Sequence, residues 1–216
     1  MHLYGTTETA PIATIMAQEE TLLDVPPARS CGQPAIGVEV RVLDEESGRT
    51  AAAGAVGEVV IRGENVMAGY WNKPEATAEA MVDGWYRTGD LGYMDERSFL
   101  YLVDRAKDMI VSGGENVYST EVEEVLYGHP AVLEAAVFGI PDARWGEAVH
   151  AVVVPRGEVA ETDLVSHCRG AIADYKIPKR IELRTEPLPK SGAGKVLKRE
   201  LRAPYWTGRE SIVGGA

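Results

Sequence analysis

The stretch Asp104–Gly114, DRAKDMIVSGG, separates two halves of the chain that follow different sequence patterns. Before it, short apolar runs alternate with polar turns, which favours a small β-barrel or sandwich. After it, strand-like and helix-like patterns alternate, which favours a compact α+β domain. We therefore predict an α+β fold class, with a β-barrel-like part over residues 1–106 and a second domain over residues 107–216. Since no flexible linker joins them, a hinge of a few residues near Arg105–Lys107 would let the domains rotate as rigid bodies.

The first half contains several predicted strands. Apolar and polar side chains alternate from Val38 to Val42, and Glu58–Arg62 forms another apolar run. Leu91–Met94 and Phe99–Val103 flank a polar turn, which predicts a hairpin. Residues Met1–Ile15 show no pattern that predicts an element of their own, so we expect them to belong to the inside of a larger domain.

The second half carries the signals of a sheet with helices. Thr120 and Glu123 form a capping-box pattern at the start of a helix. Cys168 shares a helical face with Leu164, Val165 and Ile172, which predicts a small buried core residue. The remaining predicted elements are strands over Asp108–Val111, Val132–Ile140, Ala148–Val154 and Ile181–Leu183, and a helix over Thr162–Tyr175.

Composition excludes several classes of protein. The chain has 216 residues, with 22 Lys and Arg against 33 Asp and Glu and a net charge of −11, which argues against a general nucleic-acid-binding protein. The four histidines show no metal-ligand spacing, and there is neither a signal-peptide pattern nor an apolar run long enough for a membrane span. We therefore expect a cytoplasmic protein without a transmembrane segment. Residues 176–209 nevertheless contain ten Lys or Arg and three Glu, which predicts either a local anion site or a solvated helix face.

Lys195 ends a glycine-rich turn within Pro189–Arg202, PKSGAGKVLKRELR. The stretch does not match the Walker A pattern, because Pro189 stands at the place of the first glycine and Val196 follows the lysine. Two glycines still let the backbone bend freely, so Lys195 is a long cation on a mobile turn. Taken alone, the pattern is compatible with a phosphate contact and with a polar surface turn.

Seven short motifs occur in one order along residues 1–204. Together they resemble the AMP-forming acyl-CoA synthetases, a group within the acyl-adenylating enzymes. The resemblance covers only the last third or so of such an enzyme. It implies that residues 1–106 are the end of the large N-terminal domain and residues 107–216 the mobile C-terminal domain. The motifs are Tyr4-Gly5-Thr6-Thr7-Glu8, Gly57-Glu58, Gly69-Tyr70-Trp71, Tyr86-Arg87-Thr88-Gly89-Asp90, Asp104-Arg105 with Lys107-Asp108, Ser112-Gly113-Gly114-Glu115-Asn116, and Pro189 through Lys195.

The resemblance implies an ATP-dependent ligase with two half-reactions. A carboxylic acid first attacks the α-phosphate of ATP, which gives an acyl-adenylate and pyrophosphate, and the thiol of coenzyme A then attacks the adenylate. The implied cofactors are ATP or AMP, Mg²⁺ and coenzyme A, and the implied partners are a small carboxylic acid and the missing N-terminal part of the enzyme. We expect a fatty acid as the substrate, because fatty acids are frequent substrates in the family.

For the first half-reaction, the resemblance assigns Lys195 to bridge carboxylate and phosphate oxygens, Glu8 to bind Mg²⁺ and Thr7 to contact a phosphate. The nucleotide-binding residues that it implies are Tyr4 against the adenine, Gly5 and Thr6 in the same motif, and Asp90 and Arg105 at the ribose. From the residues alone, Tyr4 is also compatible with an ordinary buried aromatic residue, Asp90 with a turn aspartate and Arg105 with a surface ion pair.

For the second half-reaction, the resemblance implies a site for coenzyme A and a pivot between the domains. The residues alone are compatible with a plain hairpin turn at the two glycines, a packed tryptophan and solvated lysines. The implied residues are Gly113 and Gly114 along the pantetheine tunnel, Trp145, Tyr175 and Lys179 at the coenzyme A nucleotide, and Lys107 as the hinge.

Two other hypotheses remain open at the level of the sequence. The short chain could be a stand-alone binding or regulatory module that holds coenzyme A or a partner protein, or it could be part of a peptide-synthetase adenylation domain. In the family, the Ser/Thr/Gly-rich phosphate loop and most of the acyl pocket lie upstream of the Tyr4 motif, and no other segment of the chain resembles them. We therefore expect the isolated chain to be inactive.

Overall fold

The structure is a computed structural model that describes residues 2–16, 30–192 and 194–207. It forms two compact units, Met1–Arg105 and Ala106–Ala216. The division falls one residue before the boundary that we predicted from the sequence. Among the described residues, no helix is both long and apolar enough to cross a membrane.

The described residues of the first unit, 2–16 and 30–105, form two antiparallel sheets and one short helix. A three-stranded sheet has the order β1-β2-β3, and a five-stranded sheet has the order β4-β5-β7-β6, with β8 paired to β7. The five-stranded sheet curls as a half-barrel, which confirms the barrel-like part of the predicted α+β fold. The elements are β1 His2–Tyr4, β2 Thr14–Met16, β3 Gln33–Pro34, β4 Val38–Leu43, β5 Gly57–Gly63, α1 Pro74–Ala80, β6 Met81–Val82, β7 Trp85–Met94 and β8 Leu100–Arg105.

The expectation that Met1–Ile15 holds no element of its own is wrong. Strands β1 and β2 pair with each other, and a 3-10 turn, Thr7–Thr9, lies between them. Ala10 closes this turn in the left-handed region, at φ 50°. Because each strand has only three residues, neither contains enough alternation to be recognised as a strand.

The second unit is a five-stranded sheet covered by helices on both faces. The strand order is β10-β9-β12-β11, and β13 pairs with β12 in parallel. Buried side chains of α2 and α3 pack on one face, while Leu188 and Leu201 pack on the other. The elements are β9 Ile110–Ser112, β10 Glu115–Val117, α2 Ser119–Tyr127, β11 Val132–Asp142, β12 Gly146–Pro155, α3 Glu161–Arg169, β13 Arg180–Leu183 and α4 Lys198–Trp206.

Two helix predictions in this unit need correction. The helix predicted over Thr162–Tyr175 ends at Arg169, where Gly170 disfavours continuation, and a separate 3-10 turn, Asp174–Lys176, follows. Cys168 is buried as predicted.

The capping box predicted from Thr120 and Glu123 is also wrong. Helix α2 begins one residue earlier, at Ser119, and its N-cap residue Tyr118 makes no side-chain cap. Glu123 instead accepts a hydrogen bond from the backbone N–H of Val137, at 2.7 Å. The Glu123 carboxylate therefore makes a tertiary contact with β11, which the local sequence pattern does not indicate.

Candidate functional site

Asp90 is the centre of a polar cluster in the first unit. Its side chain is buried, and its Oδ2 accepts a hydrogen bond of 2.8 Å from the phenol of Tyr4. Its Oδ1 lies 3.3 Å from Nε of Arg105. Burial, and after it the nearby Asp90 charge, raises the pKa of Tyr4, so this phenol stays protonated and donates to the carboxylate. Two residues that the sequence placed at the nucleotide, Tyr4 and Arg105, therefore both contact the third, Asp90.

Sheet geometry brings two of these side chains together. Asp90 of β7 and Arg105 of β8 are directly paired in the antiparallel register, which places their side chains on the same face of the sheet. The preceding Gly89 has φ +69°, a conformation that suits glycine. The backbone N–H of Asp90 donates to Oγ1 of Thr88, and that hydroxyl donates to the carbonyl of Val59 in β5. Through Thr88, these two bonds tie the backbone at Asp90 to strand β5.

Glu8 lies in the 3-10 turn after β1, beside Thr7, whose side chain is exposed. Its Oε1 accepts a hydrogen bond of 2.9 Å from the phenol of Tyr70. Partial burial opposes ionisation of Glu8, but hydrogen bonds from its own backbone N–H, Tyr70, Thr6 and Tyr86 outweigh the burial and lower the pKa of Glu8. The carboxylate is therefore ionised at neutral pH.

Gly5 and Thr6 shape the backbone before this turn. A Cβ atom at Gly5 would lie 1.8 Å from the carbonyl oxygen of Pro11, so only glycine allows the chain to pass here. The backbone N–H of Thr6 donates to Oγ1 of Thr9, and that hydroxyl donates back to the carbonyl of Thr6. These local bonds fix the direction in which Thr7 and Glu8 leave the sheet.

Glu58, Arg87 and Tyr70 belong to motifs but were assigned no role from the sequence. Their contacts in the structure explain why they are part of the pattern. Glu58, which is buried, forms an ion pair with Arg87 and accepts a hydrogen bond from the backbone N–H of Gly89. Tyr70 reaches Glu8, as described above. Sequence reasoning grouped these motifs only by order, because nothing in a linear pattern shows that strands β5 and β7 are neighbours.

Gly113 and Gly114 form the turn between β9 and β10 in the second unit, with φ +63° and φ +87°. The backbone N–H of Gly113 donates to the carbonyl of Trp145, at 2.8 Å. A Cβ atom at Gly113 would lie 2.8 Å from Cε3 of the Trp145 indole, whereas one at Gly114 would meet nothing within 4 Å. The two glycines therefore differ, because the first packs against Trp145 and the second faces open space.

Replacement of these glycines by alanine should separate the two constraints. Both variants force a non-glycine residue into the left-handed region, which costs about 1–2 kcal/mol. Gly113→Ala should lower the free energy of unfolding of the second unit further than Gly114→Ala, because the new methyl group also displaces Trp145. Urea denaturation measures the difference. The difference between the two variants should vanish when Trp145 is also replaced by alanine. Equal free energies of unfolding for the two variants with Trp145 present would contradict the packing argument.

The remaining residues assigned to the coenzyme A nucleotide are exposed and lie on separate segments. The Trp145 indole is 39% exposed, and the guanidinium of Arg144 lies 4.5 Å from its ring centroid. Tyr175, in the 3-10 turn Asp174–Lys176, is 41% exposed. Lys179 borders a cavity of about 370 Å³ that is also lined by Arg180, Asp142 and Tyr205, but not by Trp145 or Tyr175.

Lys195 lies at the exposed end of a tight turn just before α4. The backbone N–H of Ser191 donates to its carbonyl at 2.8 Å, and its own N–H donates to the Ser191 hydroxyl at 3.3 Å. Gly194 has φ +80°. Ala193, in the same turn, is outside the described residues. The backbone at Lys195 is thus ordered by hydrogen bonds, while its side chain projects from the protein.

Sequence reasoning missed the polar contacts that attach α4 to the rest of the second unit. Lys198 donates to the hydroxyl of Ser119 at 2.7 Å and forms an ion pair of 2.7 Å with Glu123. Arg202 forms an ion pair with Glu147 and donates to the carbonyl of Lys107. The basic pattern of residues 176–209 was the available signal, but it did not indicate which lysines and arginines have internal partners.

The donor set of the first unit fits a nucleotide with its metal. A carboxylate has about four lone-pair positions, so Asp90 has capacity for two hydroxyl donors besides Tyr4 and Arg105. Among residues 2–16, 30–192 and 194–207, no group of three or more His, Cys, Asp or Glu could hold a metal ion. A single ionised carboxylate such as Glu8 suits Mg²⁺, which is often bound by one or two carboxylates together with the phosphates of a substrate.

Comparison with known proteins identifies relatives of both units. The model of the AMP-binding enzyme family matches residues 1–71, and the model of the AMP-binding enzyme C-terminal domain matches residues 121–195. A feruloyl-CoA synthase from Amycolatopsis sp. is 45% identical over 204 residues, which is 94% of this chain and 40% of that protein.

Two solved structures of o-succinylbenzoate CoA synthetase from Bacillus subtilis have a similar fold. The complex with the acyl-adenylate intermediate OSB-AMP has a TM-score of 0.85 at 38% identity, and the complex with ATP and magnesium ion has a TM-score of 0.83 at 37% identity. Each comparison covers 93% of this chain and 40% of the solved one. The chain thus spans about 40% of the length of the relatives that it matches. Two family models, a shared fold and the motif order agree, and both parts of the chain belong to the AMP-binding enzymes.

Proposed function

We propose that this chain supplies the C-terminal part of an ATP-dependent carboxylic acid–CoA ligase, which forms an acyl-adenylate and then an acyl-CoA. The observation that carries the proposal is the buried carboxylate of Asp90, which is held between Tyr4 and Arg105. A carboxylate acceptor held in this way suits the two hydroxyls of a ribose. The similarity to a synthetase whose complex holds ATP and magnesium supports the same nucleotide.

In the first half-reaction, Asp90 and Arg105 bind the ribose, and Tyr4, Gly5 and Thr6 form the adjoining wall of the nucleotide site. Glu8 would supply a carboxylate ligand to the Mg²⁺ that accompanies the phosphates of ATP. Thr7, which is exposed beside Glu8, contacts a phosphate. Since the carboxylic acid and ATP are both anions, positioning and neutralisation of charge are the main tasks of the protein. Lys195 provides a cation that follows the negative charge as it develops.

In the second half-reaction, the unit Ala106–Ala216 reorients around Lys107 and presents another face. The turn of Gly113 and Gly114 then lines the path of the pantetheine. The open space at Gly114 supports this role, while Gly113 is required for contact with Trp145. Trp145, Tyr175 and Lys179 are exposed, as residues that bind the nucleotide of coenzyme A would be.

The acid that the enzyme activates is an aromatic carboxylic acid in this proposal. The relatives described above are named for feruloyl and o-succinylbenzoyl acids. Their names do not support the fatty acid that we expected from the frequency of such substrates. Most of the acyl pocket lies upstream in the family, so the choice rests on the relatives.

A chimera tests the proposed function. The chain would replace the matching 40% of the Amycolatopsis feruloyl-CoA synthase, and the chimera and the isolated chain would be assayed with ferulate, ATP and coenzyme A. We expect ATP–pyrophosphate exchange and feruloyl-CoA formation from the chimera. We expect neither from the isolated chain, because it has no Ser/Thr/Gly-rich phosphate loop.

Two outcomes would contradict this account. A folded chimera without exchange would show that the Asp90 cluster does not serve ATP chemistry. Exchange by the isolated chain would show that the upstream phosphate loop is dispensable. The unaltered feruloyl-CoA synthase is the control for the assay.

A further inference from the structure

Arg202 of α4 connects the C-terminal helix to the turn that contains the proposed pivot. Its Nη1 donates to the carbonyl oxygen of Lys107 at 3.4 Å, and its Nη2 lies 3.5 Å from Oε1 of Glu147. Its guanidinium carbon also lies 4.8 Å from the centroid of the Trp206 ring. Because a guanidinium is planar and rigid, three contacts in different directions fix its orientation.

The carboxylate that faces Arg202 is built into the core. The side chain of Glu147 is 1% exposed, and its Oε2 accepts a hydrogen bond of 3.3 Å from the backbone N–H of Val111 in β9. Gly139 of β11 leaves the necessary space, since a Cβ atom there would lie 2.3 Å from the same Oε2. A buried carboxylate strongly favours retention of its cation, so Glu147 holds Arg202 beside Lys107.

The position of the Lys107 carbonyl limits which residues can act as the hinge. Rotation about φ and ψ of Lys107 leaves the following peptide plane, with this carbonyl and the N–H of Asp108, fixed to the second unit. Rotation about the dihedrals of Asp108 would carry the carbonyl away from Arg202 and break the contact. The contact therefore opposes a pivot at Asp108 and is compatible with a pivot at Lys107.

We infer that Arg202 is a positioning residue that fixes the peptide plane after Lys107 and prevents the rotation from passing beyond Lys107 to Asp108. The inference rests on the proposed function, in which the second unit reorients around Lys107. Helix α4, which follows Lys195, then also determines where the rotation takes place. Arg202 acts on the hinge through the Lys107 carbonyl and needs no contact with substrate.

Nuclear magnetic resonance of the 216-residue chain tests the inference without catalysis. The test variant combines Arg202→Met with Glu147→Gln, so that no uncompensated buried carboxylate remains to unfold the unit. The matched control combines Arg199→Met, an exposed arginine of the same helix, with the same Glu147→Gln. The measured quantity is the backbone order parameter of the Asp108 N–H.

In the control, the amide oxygen that Glu147→Gln retains can still accept a hydrogen bond from Arg202, so the Asp108 order parameter should stay near the rigid value of about 0.85. In the test variant it should fall to about 0.6 or below. The order parameters of β11 and β12 should stay near the rigid value in both variants, since a general loss of structure would lower them too. An unchanged value at Asp108, or a loss spread over the whole sheet, would overturn the inference. A chimera without ligase activity would instead contradict the proposed function and leave this measurement unaffected.

Discussion

Lys195→Ala should lower the rate of acyl-adenylate formation by about 10²–10³-fold, which is the typical loss when one charge-assisted contact made in the transition state is removed. Lys195 lies at the exposed end of a turn whose backbone is held by Ser191. The ammonium group can therefore follow the negative charge that develops between carboxylate and phosphate, while the backbone of Lys195 stays in place. The measurement is single-turnover formation of feruloyl-adenylate by the chimera.

The second half-reaction distinguishes a catalytic lysine from a structural one. Thioester formation from preformed acyl-adenylate should change little in Lys195→Ala, because in the proposed cycle Lys195 has moved away from the acyl group by then. Arg199→Ala is the matched control, since it removes one exposed positive charge from the adjacent helix. An equal loss of both half-reactions in Lys195→Ala would indicate that the lysine supports the fold of the turn.

Long strands of the second unit could be predicted from the sequence because burial on both faces leaves a continuous apolar run. The strands predicted over Val132–Ile140 and Ala148–Val154 correspond to β11 and β12, which extend them by one or two residues at the ends. Short strands could not be predicted in the same way. Strands β1 and β2 are stabilised by their pairing across a turn, which no local periodicity reveals.

The polar contacts of the candidate site were only partly predictable. Asp90 and Arg105 were assigned by resemblance, and the antiparallel register of β7 and β8 explains why they are in contact. The pairing of Glu147 with Arg202 could not be predicted, because it depends on the packing of α4 against the sheet. Glu123 was misassigned for the related reason that a distant backbone N–H competes for its carboxylate.

Lys107→Pro should allow adenylation by the chimera but lower the transfer of the acyl group to coenzyme A by about 10²-fold or more, since small errors of position have effects of that size. In the structure, Lys107 lies in the 3-10 turn Ala106–Asp108. Such turns have φ of about −50 to −70°, which includes the value that proline imposes. Proline would therefore keep φ at position 107 near the value of this turn and oppose any rotation that changes it.

The ratio of the two half-reactions in single turnover is the informative measurement, because it cancels differences in the amount of active protein. Lys107→Ala is the control, since alanine leaves φ free and should support both steps. Proline also disfavours helical backbone at the preceding Ala106, so circular dichroism must first show that the variant is folded. A folded Lys107→Pro enzyme with an unchanged ratio would place the pivot elsewhere. If the contact of Arg202 with the Lys107 carbonyl opposes rotation at Asp108, the dihedral change cannot pass to that residue, which should strengthen the block.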